Sequence, residues 1–90
     1  MTFYYPAVIR KHEPGKKYHV DFLDLDGCYG EGETESEALQ DAREAALEWI
    51  HIEQSEGNDL PLQTVMADYN KQPGEKVTLI QIIMHNDWLE

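Results

Sequence analysis

One cysteine, Cys28, occurs among the 90 residues. An internal disulfide and any Cys-x-x-Cys metal or redox motif are thereby excluded, which fits a reducing compartment. Basic residues are also few: seven Lys and Arg face eighteen Asp and Glu, a formal charge of −11 at pH 7. Such a balance repels phosphate backbones and anionic lipid, so neither direct nucleic-acid binding by this chain alone nor membrane binding is expected. No apolar run approaches the ~20 residues of a membrane span, and Met1 to Ala7 lacks the basic start and long apolar core of a signal peptide. A cytoplasmic protein is the expectation. Internal repeats and low-complexity segments are absent too. Ninety residues with 41% apolar content suffice for one modest core but not two, and residues 1–90 read as a single domain.

Motifs that carry chemistry are missing as well. Gly27, Gly30 and Gly32 form neither a GxGxxG nor a P-loop pattern, and Gly30 and Gly32 are better explained as relieving crowding or bulging the strand. His12, His19, His51 and His85 have no HxH or HExxH spacing and no cysteine near by. Asp21, Asp24 and Asp26 invite a metal site of the kind that nucleases build from clustered carboxylates. On an extended strand, however, Asp21 faces opposite to Phe22, and Asp24 and Asp26 fall in a corner, so turn formation and surface charge explain all three. Cys28, without a recognisable His-Asn constellation, reads as a small buried thiol. No catalytic residue, metal or cofactor is expected, and the chain is not read as an enzyme.

What is present is a sequence of alternating elements. Phe3 to Lys11 is rich in aromatic and β-branched residues, with Pro6 near its start, and reads as a first strand. Pro14-Gly15 marks a reversal. Tyr18, Val20 and Phe22 alternate with Lys17, His19 and Asp21 in the period-two pattern of a second strand with one wet face. Asp26-Gly27 signals a corner, and a third, glycine-weakened strand is placed at residues 28 to 33. Thr34-Glu35-Ser36-Glu37 is a capping box, and the apolar stripe Ala38, Leu39, Ala42, Ala45, Ala46, Trp49, Ile50 continues it into a helix over 34 to 56 that stops at Gly57-Asn58. Residues 58 to 74 are irregular, with a short helical turn over Thr64 to Tyr69. Lys76 to Met84 is the most β-prone run and forms a fourth strand. Trp88 and Leu89 in the tail are able to pack on the sheet or on a neighbour.

Charge is distributed unevenly along these elements. Residues 21 to 68 hold fourteen carboxylates and a single base, Arg43. Within the helix, Glu37, Asp41, Glu44 and Glu48 recur at spacings of four, three and four, so they share one exposed face. An anionic stripe of this kind suits either solubility or a cationic partner, for charge asymmetry governs encounter rate and partner choice.

Four pieces in order carry a family resemblance: Tyr5-Pro6-Ala7-Val8-Ile9; Tyr18 to Cys28 with its Phe22-Leu23-Asp24-Leu25-Asp26-Gly27-Cys28 end; Gly32-Glu33-Thr34; and Glu37-Ala38-Leu39 with Ala42-Arg43-Glu44-Ala45. Over residues 4 to 52 the chain resembles the HicB antitoxin family. The resemblance implies an α+β, partial RNase H-like fold: a three-stranded antiparallel meander, one long helix crossing over it, and a fourth strand parallel to the first, in the order 3-2-1-4. It also implies a partner, a small basic HicA-like toxin that cleaves mRNA. Many members carry a C-terminal DNA-binding segment, and none is expected in this chain, so autorepression by this polypeptide alone is not expected.

The functional expectation is therefore an antitoxin that binds and neutralises such a toxin. The alternative is a vestigial or divergent RNase H-like enzyme, or a stand-alone domain without a toxin partner. Partner contacts are assigned to Asp24, Leu25, Asp26 and Tyr29 at the corner and to Glu37, Asp41, Glu44 and Glu48 on the helix. A homo-oligomer is expected through Val77, Leu79, Ile80, Ile82 and Trp88, because one helix leaves a second sheet face, bearing Tyr4, Val8, Ile80 and Ile82, without a cover.

Overall fold

A computed structural model describes residues 1–12 and 17–84. The Pro14-Gly15 reversal and Trp88 lie outside the described residues. The elements are β1 (Thr2–His12), β2 (Lys17–Phe22), β3 (Tyr29–Gly32), α1 (Glu35–Ser55) and β4 (Lys76–Ile83), with a single 3₁₀ turn at Met66–Asp68 before the last strand. This is an α+β fold with one long helix against one sheet.

The helix begins where its capping chemistry places it. Thr34 accepts from the Glu37 backbone N–H at 3.1 Å, and the Glu37 carboxylate accepts in return from the Thr34 N–H at 3.2 Å. Its sheet-facing line is Ala38, Ala42, Ala46 and Ile50, all buried and four residues apart, so a narrow stripe of three alanines ending in one large side chain meets the strands. Opposite them lie Tyr5, Ala7 and Ile9 of β1, Val20 and Phe22 of β2, and Ile80 and Ile82 of β4. Gly57, at φ 76°, takes the left-handed conformation that ends the helix.

The approach of α1 to β3 depends on two glycines. A Cβ on Gly30 would lie 2.2 Å from the Ala42 nitrogen, and one on Gly32 would lie 2.6 Å from the Ala38 nitrogen. Both obstacles are backbone, so no side chain can move aside. These glycines bring the helix down onto β3.

The sheet order is β3-β2-β1-β4. β4 pairs with β1, from Thr2↔Ile83 to Ile9↔Lys76, but the pairing is antiparallel, which corrects the parallel fourth strand. The cause is the connection. α1 starts beside the end of β3 and runs back along the sheet, so a short link would have started β4 parallel to β1. Instead residues 57–75 travel the length of the sheet again. A chain spans ~3.3 Å per residue when extended, which is ample for this return beside an eight-residue strand. Hydrogen bonds mark the path: Tyr5 Oη donates to the Pro61 carbonyl at 2.7 Å, Thr64 bonds Asp24, and Arg10 bonds Glu75.

That return also covers the β1–β2 part of the second face, while Tyr4, Leu79 and Ile83 on the same side stay exposed. Strand registers put Pro6, Val8 and Arg10 on the side away from α1, yet Val8 is fully buried and Pro6 nearly so. Residues 64–75 are pinned over this side. Arg10 bridges Asp21 and Glu75, each at 2.6 Å, and Glu75 also accepts from Tyr69 Oη at 3.0 Å and the Gln72 N–H at 2.9 Å. The Gln72 N–H does most to hold the Glu75 carboxyl below the usual carboxylate range; partial burial opposes this, and the Arg10 and Tyr69 hydrogen bonds reinforce it.

Candidate protein-binding surfaces

The corner between β2 and β3 is built around Gly27, whose φ of 74° fits the Asp26-Gly27 turn. Leu25 is 1% exposed and belongs to the core, which removes it from the contact residues. Asp24 is engaged too: its carboxylate accepts from the Thr64 backbone N–H at 2.9 Å and from the Thr64 hydroxyl. It fastens the return segment to the corner. Asp26 and Tyr29 stay exposed, and the Tyr29 ring stacks on His19 with centroids 5.2 Å apart. Burial raises the Cys28 thiol to about 11, so it is protonated at neutral pH and not poised as a nucleophile.

The three aspartates do not converge. Asp21 pairs with Arg10 and with His19 Nε2 at 3.0 Å, Asp24 holds Thr64, and Asp26 offers its carbonyl to the Trp49 indole N–H at 3.0 Å. Among the described residues no group of three or more His, Cys, Asp and Glu side chains is arranged to hold a metal ion. No described helix is long and apolar enough to cross a membrane.

All four carboxylates of the helix stripe are exposed, but two of them have local work. Ladder bonding alternates along a strand, and the Phe22 N–H to Cys28 carbonyl bond shows which residues of β3 face β2. Tyr29 and Glu31 therefore turn their backbone groups outward. The outward N–H of Glu31 is taken by the Asp41 carboxylate at 2.9 Å, and the N–H of Glu33 by Glu37 at 3.2 Å. Glu37 and Asp41 thus satisfy backbone donors at the β3 edge. Glu44, which accepts from Gln40 Nε2 at 3.0 Å, and Glu48 remain directed outward. An open groove of about 920 Å³ runs between this edge and α1, lined by Glu31, Glu33, Glu37, Asp41 and Glu44 with Arg43. The Arg43 guanidinium is directed to the Gln81 carbonyl and Gln40, at 3.0 and 3.3 Å, which leaves the groove strongly anionic.

β4 forms the other edge. Met1 and Met84 exchange two hydrogen bonds, so by alternation Val77, Leu79, Gln81 and Ile83 direct their backbone groups away from β1. Leu79 and Ile83 expose 43% and 46% of their surface, beside an equally exposed Tyr4. Val77 is half-buried. Ile80 and Ile82 point under α1 and are buried, so their side chains are not part of an accessible face; the near-continuous apolar run hid the period-two alternation that separates them from Leu79 and Ile83. Two features escaped the sequence reading: the Arg10–Glu75–Tyr69 clamp, whose partners are remote in sequence, and Ile52. The latter lies three residues beyond Trp49, a spacing that extends the apolar stripe past the core.

The comparisons fall on one family. The HicB_like antitoxin of bacterial toxin–antitoxin systems matches residues 5–87. A curated relative, an uncharacterized 14.9 kDa protein of the rep–hol intergenic region of Haemophilus phage HP1, is 32% identical over 79 residues; the match takes in 88% of this chain and 58% of the relative. Among solved structures, the N-terminal domain of the Burkholderia pseudomallei antitoxin HicB superposes with a TM-score of 0.77 at 21% identity, covering 91% of this chain and all of that one. A chain in the HicA3 and HicB3 toxin–antitoxin complex gives 0.70 at 27% identity, with the same coverage. A chain of a toxin–antitoxin complex from Streptococcus pneumoniae gives 0.69 at 20% identity, over 92% of this chain and 70% of that one. The chain belongs to the HicB-like antitoxin family.

Proposed function

We propose that this chain neutralises a small basic HicA-like, mRNA-cleaving toxin by binding it in the cytoplasm, without catalysis or cofactor. The observation that carries the reading is the anionic flank formed by α1 and the β3 edge in a member of an antitoxin family. A ribonuclease presents Lys and Arg to phosphates, and a row of carboxylates occupies such a surface as a phosphate mimic. A similar fold at 27% identity occurs in a complex of HicA3 with HicB3. The same flank disfavours nucleic acid as a direct partner of this chain, and the scattered aspartates give the enzyme alternative no support.

Glu44 and Glu48 are the residues to test, because Glu37 and Asp41 also serve the fold. Glu44→Lys with Glu48→Lys, titrated against a purified small basic HicA-like toxin, is expected to slow association about tenfold at low salt and to flatten its salt dependence. Unaltered association would reduce the stripe to a solubility feature. Absence of binding by the wild-type chain would remove the antitoxin reading.

Self-association belongs to the same proposal. The open backbone groups of β4 and the neighbouring Leu79, Ile83 and Tyr4 suit a second copy pairing edge to edge about a two-fold axis.

A further inference from the structure

The anionic stripe ends in an apolar notch that the charge argument does not use. It lies between the β2–β3 corner and the second half of α1, holds about 250 Å³, and is lined by Gly27, Cys28, Tyr29, Ala45, Trp49 and Ile52, with Glu48 at its rim. That volume falls below the range of sites for cofactors or drug-sized ligands and suits one large side chain.

Its walls are set before anything binds. The Trp49 indole is fixed by its hydrogen bond to the Asp26 carbonyl, and Tyr29 is held by stacking on His19 at a 12° interplanar angle. Tyr29 and Ile52 are nevertheless 49% and 46% exposed, so apolar surface stays in water while little side-chain freedom is left to lose on binding. The thiol at the base adds no charge, being protonated at neutral pH. The rim supplies the selectivity. Glu48 is exposed, and Glu44 stands one turn before it on the same face.

We infer that this notch is the anchor site for the toxin partner: it receives one apolar or aromatic side chain that is flanked on the partner's surface by Lys or Arg, with Glu48 pairing the cation. The inference rests on the antitoxin reading and adds where affinity, as opposed to encounter rate, is located. Buried aromatic or aliphatic anchors in preformed pockets dominate interface energetics, whereas exposed charges mainly steer.

The test is calorimetric titration of the full chain with a purified HicA-like toxin. Ala45→Leu fills the notch with a good helix former, and Ile52→Ser removes an exposed wall without touching the core. Leu62→Ser, at a 91% exposed position outside the notch, is the control. Each notch variant is expected to weaken binding at least about 30-fold, mainly through faster dissociation, while the control stays within about threefold of wild type. If wild type binds and Ile52→Ser binds equally well, the anchor site is overturned and the antitoxin reading stands. If wild type itself does not bind, both fall.

Discussion

β3 and β4 both lie at an edge of the sheet, yet the first is four residues long with the outward N–H of Glu31 held by α1, and the second is eight residues long with, among the described residues, the Gln81 carbonyl covered by Arg43. At the β3 edge Asp41 and Glu37 occupy the outward donors at Glu31 and Glu33, and Gly30 and Gly32 let the helix come close enough to do so. At the β4 edge Arg43 reaches over the top of one carbonyl, and the side chains beside it are Leu79, Ile83 and Tyr4. In the proposed function the difference divides the surface by task. The blunted edge is anionic and resists strand addition, which suits a cationic globular partner; the open edge is apolar and suits another strand.

The largest expected effect comes from removing the close approach on which the blunted edge depends. Gly30→Val would force α1 away from β3 and is expected to cost more than about 3 kcal/mol in urea unfolding, at the upper end of overpacking penalties. A loss below 1 kcal/mol would mean that the helix does not rest on β3 as described. Next is the open edge. Leu79→Lys is expected to dissociate the proposed homo-oligomer at micromolar concentration in sedimentation, weakening self-association about 30-fold or more while leaving monomer stability within about 0.5 kcal/mol. A wild-type chain that sediments as a ~10 kDa species throughout would contradict pairing at β4.

Asp41→Ala should cost about 1 kcal/mol by freeing the Glu31 N–H, and amide exchange at Glu31 should accelerate while exchange at Val20 stays slow. Equal rates before and after would show that the edge is not held by this carboxylate. The smallest effect is on pH dependence. Burial raises the thiol of Cys28 from 9.0 to about 11 and also raises Tyr5 above its ordinary value. The folded form therefore favours the protonated groups, and their contribution is complete below about pH 9 and declines as pH rises toward 11. Cys28→Ala should shallow that alkaline decline in thermal unfolding, and an unchanged profile would assign it elsewhere. Glu75, held below its ordinary value, acts in the opposite direction: its contribution is present above about pH 4.5 and is lost on further acidification.

Much of this architecture is legible in local chemistry. The capping box at Thr34, the stop at Gly57 and the alternation of Tyr18, Val20 and Phe22 each depend on residues close in sequence; the expected α1 is one residue longer than the observed helix at each end, and the expected β4 one residue longer at its C-terminal end. The direction of β4 depends instead on how far residues 57–75 travel, which is decided by Asp24–Thr64 and Arg10–Glu75, contacts between positions distant in sequence. The candidate site divides in the same way. Spacing alone puts Glu37, Asp41, Glu44 and Glu48 on one face and the capping box already engages Glu37, but only the position of β3 reveals that Asp41 is bonded to the Glu31 backbone. Leu25 and Ile80 looked like contact residues because apolar character does not say which side of the sheet it serves.

The most direct measurement is RNA cleavage by a purified HicA-like toxin as this chain is added. The account predicts that cleavage ends at the stoichiometry of the complex, that inhibition needs higher concentrations when Glu44 and Glu48 are both Lys, and that added salt narrows the gap between the two. Cleavage that continues in the presence of excess folded wild-type chain would contradict it.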